Sequence, residues 1–586
     1  MFGFTTRHGR DQSDPLQTRK TAAEWFRKLP ALDVIGRQEH VIRAFSGLRH
    51  ARPAFDLDRV AAIVYLDDAL AVDQRLVFKW YFENLNGSTK LADRFRQAAL
   101  DVSHGFMFAY REGIEAASAR ATDRRWRACL PRLTARLIHF HGVDNLVRLF
   151  RGDRAIPATW QQLHRLFERA CDLRFERSVP TLPGEDPLAI QGTVEQEYLH
   201  ALLLDQLNTG NLTPAELDWA SSQLHGWSRH LQLEPEAPEA GGFYVDLAGS
   251  AGLARLNGSA EGAKIGYLDS TPLVLAIEHS IAARREPDPD GGTRPDIVKQ
   301  QRIAILEKIL PVFSPSRRAD LRRHARVAVD LPVDIRVGFS RITRALTSPE
   351  RPQREDTAVQ SPATRAARAP RIAILHSPAA DAEEIELLPI ASDPRLADVH
   401  VEPAAQAPAA GDTESHLQWR VNDRSVAGWR ISAPVGVGQS LALGALVAMS
   451  SANAGEWMLG VVSRLAKKPR NEIEAGMSLI ASRVVLVTLY GRRQVQADMS
   501  VVVDGIDLST RGSRFDGLYL MPPAPLDTRL AMRTLIIPTS EYFDGRSVIL
   551  STANSNYAVT LGALIDHHAD WTWATMHVAG KSPRLD

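Results

Sequence analysis

The sequence predicts a multidomain α+β chain: a helical N-terminal domain, then an antiparallel β-barrel with a long insertion, then a further C-terminal β domain. Three observations predict it. The 586 residues exceed what one hydrophobic core organises. Apolar residues recur at helical spacing over roughly the first 235 positions. Beyond about 415 they alternate in short runs split by turn residues.

The expected organisation is a flexible tail over 1–20, a helical domain over 21–235 and a small mixed α/β segment over 236–310. A barrel follows over 311–495, with 345–415 as a flexible insertion, and then a β-rich domain over 496–586. In the helical part, Leu199, Leu202, Leu203 and Leu207 form one apolar stripe. Thr193 with Gln196, and Thr213 with Pro214 and Glu216, read as helix starts, and Asn208-Thr-Gly210 as a stop. FYVDLAG and KIGYLDS read as short strands, and TPLVLAIEHSIAARR and DIVKQQRIAILEKIL as helices. The stretch 345–415 is rich in Ala, Pro, Arg and Glu and lacks the apolar content to offset ordering entropy, although RIAILHS within it could add an edge strand. LQWRVND, GWRISAP, EWMLGVVSRL, NEIEAGMSLIAS and VVLVTLY then read as strands, with KKPRN as a hairpin connection. Further runs, among them RTLIIPTS and RSVILST, follow with Asp544-Gly545 as a turn, and the even spacing suits one or two barrels. No internal repeat is evident.

Composition narrows the function classes. Lys plus Arg number 70 and Asp plus Glu 69, a formal charge of +1, so no global field draws the chain to a nucleic-acid polymer or an anionic membrane. Apolar residues at 44% and charged residues at 24% are those of a globular protein. The two cysteines, Cys129 and Cys171, exclude a disulfide framework and a cysteine-rich metal centre. MFGFTTRHGRDQSD has no apolar signal-peptide core and no apolar run is long enough to span a bilayer, so a cytoplasmic location without membrane insertion is the expectation.

Two motifs carry chemistry. Before the insertion, Arg322-Arg323-His-Ala-Arg326 leads into the alternating strand VAVDLPVDIRV. After it, Asp423, Ser425 and Gly428 form Asp-x-Ser-x-x-Gly within VNDRSVAGWR. Together, and over roughly 315–490, they resemble the PilZ domain family, whose members are antiparallel β-barrel receptors for cyclic di-GMP. The resemblance implies that Arg322, Arg323, Arg326, Asp423, Ser425 and Gly428 bind that ligand. It also implies a non-catalytic effector that couples ligand binding to a protein partner, here through the helical domain, with no cofactor. The alternative is a scaffolding protein whose barrel no longer binds nucleotide. Arg318, four residues before Arg322, offers a competing register. The insertion also separates the motifs further than in most such domains, which leaves the pairing of VAVDLPVDIRV with QWRVND open.

The chemistry suits the ligand. A guanidinium fork meets the paired O6 and N7 acceptors of guanine, stacks on a purine face or holds a phosphate. A carboxylate at Asp423 can accept from the guanine N1–H and N2–H₂ edge, and Ser425 can donate or accept beside it. Gly428 would allow either a positive φ or a close backbone approach.

Other candidates are weaker. Asp507-Leu-Ser509-Thr-Arg-Gly512 repeats the second motif without paired arginines and a strand ahead of it, and reads as a surface turn. His139-Phe-His141 and Asp566-His567-His568-Ala-Asp570 hold metal-capable residues with no third element nearby, so no metal site is expected. Gly436-Val-Gly438 lacks the ending of a phosphate loop, Ala248 breaks a serine elbow at Ser250, and no cyclic di-GMP synthesis or breakdown signature occurs. No catalytic residue is expected.

Overall fold

The computed structural model describes residues 14–51, 55–85, 89–120, 122–179, 192–239, 241–260, 262–286, 297–315, 326–347, 419–425, 427–434, 441–451, 457–468, 472–481, 484–491, 502–503, 506–507, 513–520, 533–551 and 555–583. Arg318, Arg322, Arg323, the insertion with RIAILHS, Gly436 and Gly438 lie outside them. The chain is a helical N-terminal region followed by two closed six-stranded antiparallel β-barrels. It divides into two compact units, Met1–Arg322 and Arg323–Asp586.

The first unit opens with α1 (Arg19–Lys28), α2 (Val34–Ala51), α3 (Leu57–Asn84) and α4 (Thr89–Ala119). It continues with α5 (Arg124–Leu149), α6 (Pro157–Asp172), α7 (Val194–Gln206) and α8 (Pro214–Ser228). Local chemistry sets these boundaries. Thr18 closes a capping box on α1, and Leu16, within the stretch read as a tail, is fully buried. Asp56 accepts from Arg59 N and Asp123 from Arg125 N, each satisfying a free N–H in the first turn of α3 and α5. Thr193 caps α7, and Thr213 with Glu216 forms the reciprocal box on α8. Gly210 follows α7 at φ +73°, where a Cβ would be strained. Helix α7 is enclosed along its length, with Tyr198, Leu199, Leu202, Leu203 and Leu204 all fully buried. Burial on every side, with the charges of Glu195 and Glu197 paired to Arg177, His139 and His225, places it at the centre of the bundle.

Residues 243–313 add β1 (Phe243–Asp246), β2 (Ala254–Arg255), β3 (Ile265–Leu268), α9 (Thr271–Arg285) and α10 (Ile297–Phe313). The strands form a small sheet in the order β2-β1-β3. Phe243, Val245, Leu268, Ile277 and Phe313 belong to the same apolar core as the helices before them. Among the described residues no helix is long and apolar enough to cross a membrane.

The second unit starts with β4 (Val327–Val337) and α11 (Phe339–Thr347). Then come β5 (Trp419–Arg424), β6 (Gly428–Pro434), β7 (Leu446–Ser451), β8 (Trp457–Lys468) and β9 (Glu472–Ala481). These strands close in the order β4-β5-β6-β9-β8-β7. Alternation sends Val333, Ile335, Trp419, Val421, Trp429, Ile431, Val447, Met449, Val462, Ala475 and Met477 into one interior. The open question about the first pairing is answered: β4 pairs with β5 through Ala328↔Asp423 and Val333↔Trp419 despite the intervening 348–418. Loop-closure cost grows only logarithmically, so such a length is tolerated.

The second barrel uses β10 (Val484–Gly491), then, beyond the two-residue pair β11 (Val502–Val503) and β12 (Ile506–Asp507), β13 (Ser513–Leu520) and β14 (Thr534–Ile537). It is completed by β15 (Ser547–Ser551), β16 (Ser555–His567) and β17 (Thr572–Pro583), in the order β10-β13-β14-β17-β16-β15. Both barrels therefore follow one circuit: first, second, third, sixth, fifth and fourth strand. This is a structural repeat that the sequence does not betray, because a barrel asks for alternation and not for particular residues. Strand β10, read with the first barrel, belongs to the second and pairs with β13 and β15. The connection 482–483 has the length of a hairpin loop but carries the chain from one barrel into the next.

Helix α11 joins the two barrels. Phe339 and Ile342 pack in one cluster with Leu446, Leu459 and Ile480 of the first barrel and Leu518, Ile536, Trp571 and Trp573 of the second. Asp570 Oδ2 accepts from Phe339 N at 3.1 Å, placing a carboxylate on the helix N-terminus. Trp571 Nε1 donates to Gly444 O at 3.1 Å. His568 stacks on Trp571, and His567 bonds Thr572, so this acidic and histidine-rich run has structural partners.

Candidate ligand-binding site

The hairpin between the second and third strands of the first barrel is built by the Asp-x-Ser-x-x-Gly run. Ser425 N donates to Gly428 O at 2.8 Å and Ser425 Oγ donates to the same oxygen at 3.1 Å. The serine thus closes the turn twice and keeps hydroxyl acceptor capacity. Gly428 is not in a left-handed conformation; a Cβ there would lie 2.5 Å from Met477 O of β9. Of the two reasons for glycine, close backbone approach is the one the structure gives.

Asp423 falls on the same side of β5 as Trp419 and Val421, so its side chain is carried inward and is 10% exposed. The hairpin register, Arg424↔Trp429 and then Asp423↔Arg430, places Arg430 directly across the strand pair, and a register shift follows only between Asp423 and Val421. Arg326 Nη1 lies 3.0 Å from Asp423 Oδ1, and Arg430 Nη2 lies 2.7 Å from Oδ2. One buried carboxylate therefore holds two guanidiniums side by side, each bond charge-assisted. Arg430 Nη1 reaches Glu474 Oε2 at 3.6 Å, and Lys468 Nζ lies 3.5 Å from the same oxygen.

Beside this cluster lies a cleft of about 250 Å³. Arg326, Ser425, Gly428, Arg430, Arg464 and Glu474 are among its lining residues. Its three guanidiniums against one carboxylate leave a net charge of +2. Arg464, on β8, is exposed and makes no ion pair among the described residues. The cleft can thus offer fork-shaped donors to an anion, with backbone and hydroxyl groups beside them.

Of the residues singled out in the sequence, Arg326, Asp423, Ser425 and Gly428 come together here. Arg322 and Arg323 lie outside the described residues. Arg430, Arg464 and Glu474 are additional, and one sequence signal existed for the first of them. Arg430 stands two residues after Gly428, which puts it opposite Asp423 once the hairpin closes. Arg464 and Glu474 arrive on β8 and β9 with no local signature. In the second copy of the motif, Asp507 sits on β12, between the first and second strands of its barrel and not between the second and third. Ser509 and Gly512 lie outside the described residues.

No curated protein and no solved structure matches the chain. A family model does match, over residues 20–238, within the helical region and away from the barrels. That segment is similar to the N-terminal domain of the cyclic-di-GMP receptor FimW.

Proposed function

We propose that the chain is a non-catalytic receptor for cyclic di-GMP whose first barrel is a PilZ-like domain, and that it passes ligand binding on to a protein partner through its helical region. The observation that carries this is the meeting of Arg326, Arg430 and Asp423 beside a cationic cleft bordered by Ser425 and Gly428. Support comes independently from a second part of the chain, since residues 20–238 are similar to a domain of a cyclic-di-GMP receptor.

In this reading Arg326, Arg430 and Arg464 meet phosphate and guanine acceptors, and Asp423 acts mainly by aiming the first two, since both its oxygens face guanidiniums. Ser425 holds the turn and offers an acceptor, and Gly428 lets β6 approach β9. A cleft of about 250 Å³ lies below the roughly 300–1,000 Å³ of sites for drug-sized ligands, so it receives one nucleotide half. Arg322 and Arg323 are assigned to the same ligand from the sequence motif alone.

Calorimetric titration with cyclic di-GMP tests the proposal. Saturable binding in the wild type, lost in Arg326→Ala and in Arg322→Ala, is the expected result. The Asp423 cluster is also an ion pair closed on itself, which favours a second reading: a scaffold that keeps the barrel without the ligand. Absence of binding to the folded wild-type chain would establish that reading and end the first.

A further inference from the structure

The helical unit contains a second cluster of chemically capable side chains, far along the chain from the barrel motifs. Helices α5, α7 and α8 each contribute one residue: His139, Glu197 and His225. His139 Nδ1 lies 3.1 Å from Glu197 Oε2, and His225 Nε2 lies 2.9 Å from Glu197 Oε1. The ligand-capable atoms all fall within 4.8 Å of one another. We propose that His139, Glu197 and His225 form a binding site for a transition-metal dication of the zinc class.

Three features separate this cluster from an ordinary buried ion pair. The first is its donor set. Two imidazole nitrogens and one carboxylate oxygen suit zinc and its neighbours, whereas magnesium and calcium call for oxygen ligands. Its spacing also fits: a tetrahedral ion with bonds of about 2.0–2.1 Å holds its ligands about 3.3 Å apart. The two histidine–glutamate separations run to different carboxylate oxygens, and the three ligand-capable atoms lie within 4.8 Å of one another, so side-chain rotations bring them to that spacing.

The third feature is access. The Glu197 side chain is 5% exposed while those of His139 and His225 are 29% and 35% exposed. The anionic ligand is thus sequestered and the imidazoles form a solvent-facing rim, which leaves room for an exchangeable fourth ligand. Among the described residues no lysine or arginine forms an ion pair with Glu197, and the nearby Arg136 is committed to Asp67.

The surroundings hold the ligands in place. His200 is buried, its Nε2 is bonded to Ser221, and its ring packs edge-on against that of His225 at 5.0 Å. Gln196 Nε2 donates to His225 O at 3.1 Å, tying α7 to α8 beside the cluster. His141, two residues from His139 on α5, takes no part; side chains at that spacing on a helix do not share a face. The partners of His139 are instead dispersed over two other helices, which is why the sequence shows no metal motif.

The experiment uses tag-free, full-length protein stripped with a chelator and titrated with Zn²⁺ by calorimetry, with metal analysis after desalting. The expected result is about one zinc per chain, with affinity at least about tenfold weaker in His225→Ala and in Glu197→Gln. Cyclic di-GMP titration of His225→Ala should match the wild type, which keeps this site separate from the barrel. If His225→Ala fails to fold by circular dichroism, His139→Ala takes its place. No saturable zinc uptake by the wild type, or uptake unchanged in the folded variants, overturns the proposal.

Discussion

Asp423→Asn tests the division of labour in the barrel site most directly. It swaps one carboxylate oxygen for an amide NH₂ with almost no change of shape. The wild-type oxygens accept from different guanidiniums, at 3.0 Å from Arg326 and 2.7 Å from Arg430. Asparagine can keep one of these bonds and turns a donor toward the other cation. A hydrogen bond to a charged group contributes about 1.5–3 kcal/mol, so releasing one guanidinium weakens cyclic di-GMP binding about 10- to 100-fold. An opposing effect exists, because the substitution also removes a negative charge near an anionic ligand. The two arginine side chains are 39% and 40% exposed, which puts the site in a high dielectric. At about 8 Å and an effective dielectric of about 40–80, that relief is roughly 0.5–1 kcal/mol. Loss of orientation therefore wins. The assay is a double-mutant cycle by calorimetry with Asp423→Asn, Arg430→Ala and the pair. If Asp423 acts through the arginines, the pair binds little worse than the poorer single variant. Effects that add in full, or tighter binding in Asp423→Asn, would refute the reasoning.

Gly428→Ala forces a Cβ to within 2.5 Å of the Met477 carbonyl oxygen, and the strands must part at a cost of about 1–3 kcal/mol; a lower urea midpoint with unchanged slope is the readout. Asp507→Ala leaves cyclic di-GMP affinity at the wild-type value, because that copy of the motif lies between the wrong pair of strands; a measurable loss would move the site to the second barrel. Burial pushes the Asp218 carboxyl up to about 6 from 3.8. The folded state therefore holds this proton more tightly than the unfolded state, and stability falls as pH rises from about 4 through 6. Asp218→Asn should raise stability at pH 7 by about 1–3 kcal/mol and change nothing at the acid end, as read by denaturation at both pH values.

The sequence was most informative where a residue acts within its own element. Thr213 with Glu216, Gly210 after α7 and the Lys468↔Glu472 hairpin end all follow local rules and stand in the structure as such. Asp423, Ser425 and Gly428 were legible because three constraints of one turn fall within six positions. Arg430 follows from the same turn, since counting back along the closed hairpin sets it opposite Asp423. Arg464 and Glu474 depend on closure of the barrel, and His225 joins His139 across 86 residues by helix packing alone. The destination of β10 was unreadable for a related reason, since a two-residue connection reports nothing about which barrel the next strand enters. Helix α11 could not be read as a joint, because Trp571, Trp573 and Asp570 that receive it come more than 220 positions later.

Strand β9 lines the cleft with Glu474, Gly476, Met477 and Ser478, and a few residues on it presents Ile480 and Ala481 to the apolar seam around α11. A register shift against β8 falls between the two stretches, at Ile480, so they share one strand across an irregularity in its pairing. One ten-residue strand thus serves both a surface recess and the joint between the two barrels, with an irregularity dividing the two duties.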